Sequence, residues 1–270
     1  MNDAAQTAVE RVIKYMYDNL AEEITIDDMA RTAMFSKFHF SRIFRAVTGI
    51  SPGRFLSAIR LQAAKCLLVS TSLSVTDICF QAGYNSVGTF SSRFAAVVGI
   101  PPTVYRDNGG YIPRLAINAR RNDWGSSSSA IRGHIISPSP GPGPGPGPGP
   151  GPGPDDLIFI GVFSDPIIQG KPIRYTVCAA TEVYQLGGVP PGTWYLLGYS
   201  FTREDNRVLL NSASDSQPPS VAVHGPITVG SRPVIRNVDM TMRPMRVIDP
   251  PMLLAVLDVG LRKRVKQTAS

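Results

Sequence analysis

The sequence predicts a multidomain chain, α then β: an all-α double helix-turn-helix domain followed by an antiparallel β-sandwich. Three observations predict it. "FSRIFRAVTGISP", Phe40 to Pro52, returns fifty residues later as "FSSRFAAVVGIPP", Phe90 to Pro102, with eight of thirteen positions identical. Helical periodicity fills residues 1–107. Beyond them, Val, Ile, Thr and Tyr runs alternate with Pro-Gly turns, which is strand-and-turn patterning. A length of 270 residues suits two domains.

The elements follow in order. In "AVERVIKYMYDNL", Val9, Val12, Ile13, Met16 and Leu20 form one apolar stripe, an amphipathic first helix. "ITIDDMARTA" opens the first unit: Thr25 can cap a helix, Asp28 sits three residues on, and Ile24 and Met29 can staple the turn. "LSVTDICFQA" repeats this with Ser74, Asp77, Leu73 and Ile78. Each short helix runs into a tight turn and then the longer repeated helix, which ends at Gly49 or Gly99 before Pro52 or Pro102. The core face of the first repeated helix is Phe40, Ile43, Phe44 and Val47; Phe90, Phe94 and Val97 keep it in the second. "SPGRFLSAIRLQAAKCLLVSTS" joins the copies as one helix, with Phe55, Ile59, Ala63, Cys66 and Leu67 on one face. A rigid spacer of about one DNA turn would let both repeated helices enter successive major grooves of one duplex.

Residues 108–130 lack periodicity and read as the linker. Residues 131–249 read as the sandwich, with strands in "AIRGHIIS", "DDLIFIGVF", "PIRYTVCA", "VYQLGGV", "GTWYLLGYSF", "NRVLLNS", "SVAVHGPITV" and "RNVDMTMRP". Seven Gly-Pro pairs, Gly141 to Pro154, can form neither helix nor ladder. Residues 138–154 are therefore expected to be an expanded loop between the first two strands. Residues 250–270 form a C-terminal tail. Its basic end, Arg262, Lys263, Arg264 and Lys266, suits solvent, a membrane surface or an added DNA contact.

Charge points to a polyanion. From Met29 to Thr76 there is no acidic residue, while Arg31, Lys37, Arg42, Arg45, Arg54, Arg60 and Lys65 fall in that window. Opposite the first repeated core face lie Phe38, Arg42 and Arg45, with Lys37 and Ser41 beside them. Arg can fork onto guanine, Ser can serve several bases, and Phe can meet a thymine methyl. Lys37 and Arg45, nearer the ends, suit phosphates. In the second copy Gly88, Ser92 and Ala95 stand where the first has Phe38, Arg42 and Arg45, while Val87, Thr89 and Arg93 remain as contacts. The expected binder is asymmetric, with the first helix dominant in base readout.

Other classes find little support. The three cysteines, Cys66, Cys79 and Cys178, lack metal-ligand spacing, and the three histidines, His39, His134 and His224, form no metal motif. No nucleophile elbow or phosphate loop is present, so no catalytic residue, metal or cofactor is expected. The amphipathic, acidic N-terminus is no signal peptide, no apolar run spans a membrane, and a cytoplasmic location is expected.

These motifs carry a resemblance. "FSRIFRAVTGISPGRF", "IRLQAAKCLL", "ICFQAGYNSVGTFSSRF" and "VGIPPTVYR" make residues 8–107 resemble the DNA-binding domain of the AraC/XylS family of bacterial transcription regulators. The resemblance implies two helix-turn-helix units on one linker helix and double-stranded DNA as partner, with RNA polymerase as a further expected contact. It implies base contacts at Phe38, Ser41 and Arg42, and at Val87, Gly88, Thr89 and Ser92. The Gly and Ser of the second unit depart from common family choices. "VYQLGGVPPGTWYLLGYSF" resembles the strand–turn–strand of carboxypeptidase regulatory-like, transthyretin-type sandwiches, and a ligand or protein is expected there. The competing reading is a protein-interaction adaptor whose helical domain has lost specific DNA binding.

Overall fold

The computed structural model describes residues 3–112, 129–137, 152, 156–179, 183–201 and 218–257. They divide into two compact units. One joins Met1–Gly110 to Arg246–Ala255; the other joins Tyr111–Met245 to Val256–Ser270.

The first unit is helical: α1 (Asp3–Asp18), α2 (Ile26–Ala33), α3 (Lys37–Thr48), α4 (Pro52–Ser70), α5 (Val75–Gln81), α6 (Val87–Val98) and α7 (Pro102–Asp107). The start signals act as the sequence reads. Thr25 and Asp28 close a capping box on α2, and Ser74 and Asp77 close one on α5. Gly49 and Gly99 end α3 and α6 in the left-handed conformation. The repeat extends into the core. Phe40 packs edge-on to Phe44 and Phe44 to Phe55; fifty residues on, Phe90 packs on Phe94 and Phe94 on Tyr105. Phe40, Phe44 and Phe55, and Phe90, Phe94 and Tyr105, are all fully buried. Aromatic pairs at these spacings add about 0.5–1.5 kcal/mol beyond the area they bury.

Two details differ from the periodic reading. Thr48 and Val98 are buried at the ends of α3 and α6, while Ile43, Val47 and Val97 are half-buried. The linker helix α4 is buried on more than one stripe: Leu56, Ala58, Leu61, Ala64, Lys65 and Leu68 join Phe55 and Ile59, while Ala63, Cys66 and Leu67 are half-buried. Part of that cover comes from far along the chain. Met252, Leu253, Leu254 and Ala255 are buried in this unit, and Ala255 N–H donates to Val98 O at 3.1 Å. Lys65 Nζ donates to Met252 O at 2.9 Å and to Leu254 O at 3.5 Å. The basic end of the expected tail lies outside the described residues.

The second unit is sheet-rich: β1 (Tyr111–Ile112), β2 (Ala130–Ile136), β3 (Leu157–Phe163), β4 (Arg174–Ala179), β5 (Val183–Gly187), β6 (Gly192–Phe201), β7 (Ser220–Val229), β8 (Ile235–Asn237), β9 (Met240–Thr241), β10 (Arg243–Pro244) and β11 (Val256–Leu257). One sheet runs β10-β7-β6-β3-β4, all antiparallel. The other runs β5-β2-β8, with β9 also on β2. It is mixed, because β2 meets β5 antiparallel but β8 and β9 parallel. A purely antiparallel arrangement is thus not what the residues form. One buried cluster draws from both sheets: Ile131 and Ile135 of β2, Ile158, Ile160 and Val162 of β3, Leu186 of β5, Leu196 of β6 and Val229 of β7. In β2, Gly133 lies so close to the backbone of Val238, between β8 and β9, that an added Cβ would stand 1.8 Å from Val238 O. The strand expected in "NRVLLNS" and nearly all of the Gly-Pro tract lie outside the described residues.

Candidate nucleic-acid interface

The second helix of each unit presents a polar or basic face beside its aromatic core. In α3, Phe40 and Phe44 point inward. The same winding leaves Lys37, Phe38, Arg42 and Arg45 exposed and Ser41 half-buried. Phe38 is 89% exposed, an unusual state for so large an apolar side chain. Ser36 caps the helix through His39 N–H at 3.4 Å, and the His39 ring rests on Phe35 at 5.0 Å. His39 is therefore held against its own turn while staying exposed. Lys37 Nζ pairs with Asp27 Oδ2 at 2.9 Å, with both side chains about half exposed.

In α6, Phe90 and Phe94 point inward, Gly88, Thr89, Ser92 and Arg93 are exposed, and Val87 is half-buried. Ser86 caps it through Thr89 N–H at 3.4 Å. Arg93 Nε donates to Ser57 Oγ of α4 at 2.8 Å, so part of its fork holds the linker helix. No lysine or arginine other than Arg93 lies on α6.

The helix termini differ in kind. α2 and α5 carry Asp27 and Asp28, or Asp77, in their first turns. Thr25, through its hydroxyl and its backbone N–H, holds the Asp28 carboxyl below its ordinary range. First turns of α3 and α6 carry no acid. Their N-terminal partial charge is not offset within the helix, which leaves it open to an anion such as a phosphate.

Two of the cations in the acid-free window serve the fold. Arg60 Nε donates to Leu20 O at 3.0 Å and its terminal nitrogen to Glu22 O at 2.5 Å. Lys65 is fully buried against Met252 and Leu254, and burial pulls its ammonium down to about 7. Helical arithmetic carried the signal for Lys65. It lies four residues after Leu61 and three before Leu68, both buried, so it shares their face. Arg31 is turned to Asp28 at 3.1 Å. Among the described residues of the window, α3 therefore holds the densest exposed group of cations: Lys37, Arg42 and Arg45.

Among the described residues there is no cluster of His, Cys, Asp and Glu able to hold a metal. Among them also, no helix is long and apolar enough to cross a membrane.

The helical unit is similar to known proteins. Residues 29–108 match the family model of a helix-turn-helix domain. The HTH-type transcriptional activator AarP of Providencia stuartii is 31% identical over 98 residues, which span 36% of this chain and 73% of that protein. The Transposon Tn10 TetD protein of Escherichia coli is 29% identical over 102 residues, spanning 38% of this chain and 74% of that one. A solved transcriptional regulator of the AraC-type DNA-binding group, from Chromobacterium violaceum, is 28% identical and covers 39% of this chain and 96% of its own, with a TM-score of 0.36. Through its helical unit the chain belongs to the AraC-type helix-turn-helix family of DNA-binding transcription regulators.

Proposed function

We propose that the chain regulates transcription by setting α3 and α6 in successive major grooves of one duplex, with α3 dominant in base readout. The observation that carries this is the unequal chemistry of the two outward faces, long and charged on α3 and short and mostly uncharged on α6. α3 offers Phe38, Ser41 and Arg42 towards bases, and Lys37 and Arg45 towards phosphates. α6 offers Val87, Gly88, Thr89 and Ser92, which reach less far and carry no charge. Arg93, anchored at Ser57, can add a phosphate contact through its outer nitrogens. The helix thus mainly positions. Double-stranded DNA is the partner that fits, and an RNA polymerase contact goes with the regulatory role.

We read the sheet-rich unit as a β-sandwich of the transthyretin-like kind, and the cluster shared by both its sheets supports that reading. A ligand or protein at this unit would supply the regulatory input. No reaction is assigned to either unit.

The test is selection of random duplexes by the full chain, followed by titration of the enriched sites against salt. A site with more information in the α3 half than in the α6 half is expected, with affinity falling steeply as salt rises. Equal information in both halves would refute the asymmetry. No enriched site at all would favour the interaction adaptor.

A further inference from the structure

The geometry points to a lock between the two helix-turn-helix lobes, made by Arg60 and Gly83 against the turn holding Leu20 and Glu22, that sets which DNA spacing the chain accepts. It rests on the two-groove reading above.

The contacts converge on one guanidinium. Arg60 stands on α4, and it donates to Leu20 O and Glu22 O in the turn between α1 and α2 of the first lobe. Gly83 stands in the turn between α5 and α6 of the second lobe, at φ +75°. A Cβ added to Gly83 would lie 2.2 Å from Leu20 O and 2.8 Å from Arg60 Cζ and Nε. The backbone of the second lobe therefore rests directly on the backbone carbonyl and the guanidinium that hold the first.

A comparison inside the repeat shows that the turn alone does not require this glycine. Met34 N–H donates to Arg31 O and Phe35 N–H to Ala30 O; Gly83 N–H donates to Phe80 O and Tyr84 N–H to Cys79 O. Met34 and Gly83 thus hold the same place in the same helix-ending motif. Met34 takes φ 61° with a full side chain, and it is 78% exposed. Position 34 tolerates that side chain because it stands in solvent. Position 83 has no room for even one carbon.

One turn of α4 reaches both lobes. Ser57, three residues before Arg60, accepts from Arg93 of α6 at 2.8 Å and meets the Tyr84 hydroxyl at 3.5 Å. Arg60 is the better residue for such a joint than Lys, because its planar fork bonds two carbonyls in fixed directions. A continuous helix fixes only one link in the path from α3 to α6. The lock removes the remaining freedom of the lobes about it, and this makes Arg60 and Gly83 positioning residues for DNA recognition.

The experiment uses the full chain and the duplex it enriches. Affinity is measured on that duplex, on versions with one or two base pairs added or removed between the halves, and on one with the α6 half scrambled. For the unaltered chain a two-base-pair change should cost about tenfold or more, since half-site spacing mirrors protein geometry. Arg60→Gln should flatten the spacing profile to about threefold or less, while affinity for the scrambled-half duplex stays within about twofold. Arg60→Lys should flatten it partly. Gly83→Ala should flatten it or shift its optimum; if Gly83→Ala fails to fold, the two Arg60 variants decide. An unchanged spacing profile in folded Arg60→Gln overturns the lock and leaves the two-groove reading standing. An enriched duplex whose affinity ignores the α6 half overturns both.

Discussion

Lys37 and Arg42 stand five residues apart on α3 and should act differently on DNA. Arg42 is exposed on the face that carries Phe38, where a fork can reach a base edge. Arg42→Ala should cost about 1–3 kcal/mol and relax base preference at one position. Lys37 is already paired with Asp27 at 2.9 Å, so its charge reaches a phosphate at the expense of that pair. Lys37→Ala should weaken all sequences alike, and Asp27→Asn should tighten them all. Titrations on selected and scrambled duplexes check both; an equal loss on every sequence for Arg42→Ala would remove it from base readout. Lys65 makes a different demand. Its amine is lowered from 10.5 to about 7, first by burial, with Cys66 beside it acting the other way. The packed unit favours the neutral amine and the unfolded chain favours the ammonium below 10.5. The contribution of Lys65 to stability is therefore best above pH 10.5, falls as the pH drops towards about 7, and is level below that. Lys65→Met keeps the volume and abolishes the charge. It removes the cost of the charge but leaves Met252 O and Leu254 O without this donor, so its stability relative to the parent should be greatest near pH 7 and fall as the pH rises to 9.5. Denaturation followed by circular dichroism at several pH values measures this, and a difference that does not change with pH would contradict the buried amine.

At the scale of elements, the helices show what the sequence makes legible. Capping boxes at Thr25 and Ser74, glycine stops at Gly49 and Gly99, and the phenylalanine pairs all depend on neighbours within one turn. Local spacing therefore reveals them. The exposed face of α3 was legible for the same reason, since Phe38, Arg42 and Arg45 lie opposite Phe40 and Phe44. What local spacing cannot reveal is which partners the cations take. Spacing puts Lys65 on the face of Leu61 and Leu68, but its carbonyl partners in Met252–Leu254, and those of Arg60 in the Leu20 turn, come from far along the chain. The same holds for Arg106, which donates to Leu68 O and Leu73 O and so satisfies a carbonyl at the end of α4. Gly88 and Gly83 give a paired forecast. Around Gly88 the nearest atom to an added Cβ is Ser86 Oγ at 3.9 Å, in ordinary contact. Gly88→Ala should stabilise α6 by up to about 1 kcal/mol through helix propensity. Gly83→Ala should instead destabilise, because backbone and guanidinium block it. Melting curves of the two variants should move in opposite directions; movement in the same direction would mean that the close approach at Gly83 is relieved by a small shift.

Over the whole molecule, the sheet-rich unit depends on a strand that its own sequence holds at a distance. β2 lies between β5 and β8 and also pairs with β9, so it is the centre of its sheet. It precedes the Gly-Pro tract, whereas every other strand of both sheets follows it. Alternation in "AIRGHII" made the strand legible, and its burial alternates from Ile131 to Ile136. Its parallel partners were not legible, because pairing across a hundred residues leaves no local period. The shared core then says what the tract has to do. Ile131 and Ile135 pack with Ile158, Ile160 and Val162 from the far side of the tract, so the two strands share one buried core. In the sequence the tract runs between them. Loop length costs little, since each doubling adds only about 0.6 kcal/mol to closure. Replacing residues 138–154 by about six Gly and Ser residues should therefore leave stability unchanged or slightly raised. Ile131→Ala, which removes a fully buried side chain, should cost about 2–5 kcal/mol. The emission of Trp194, which packs against this cluster, reports unfolding in both variants. A shortened chain that unfolds early would show that the tract has a structural task, and a neutral Ile131→Ala would show that β2 does not hold the core together.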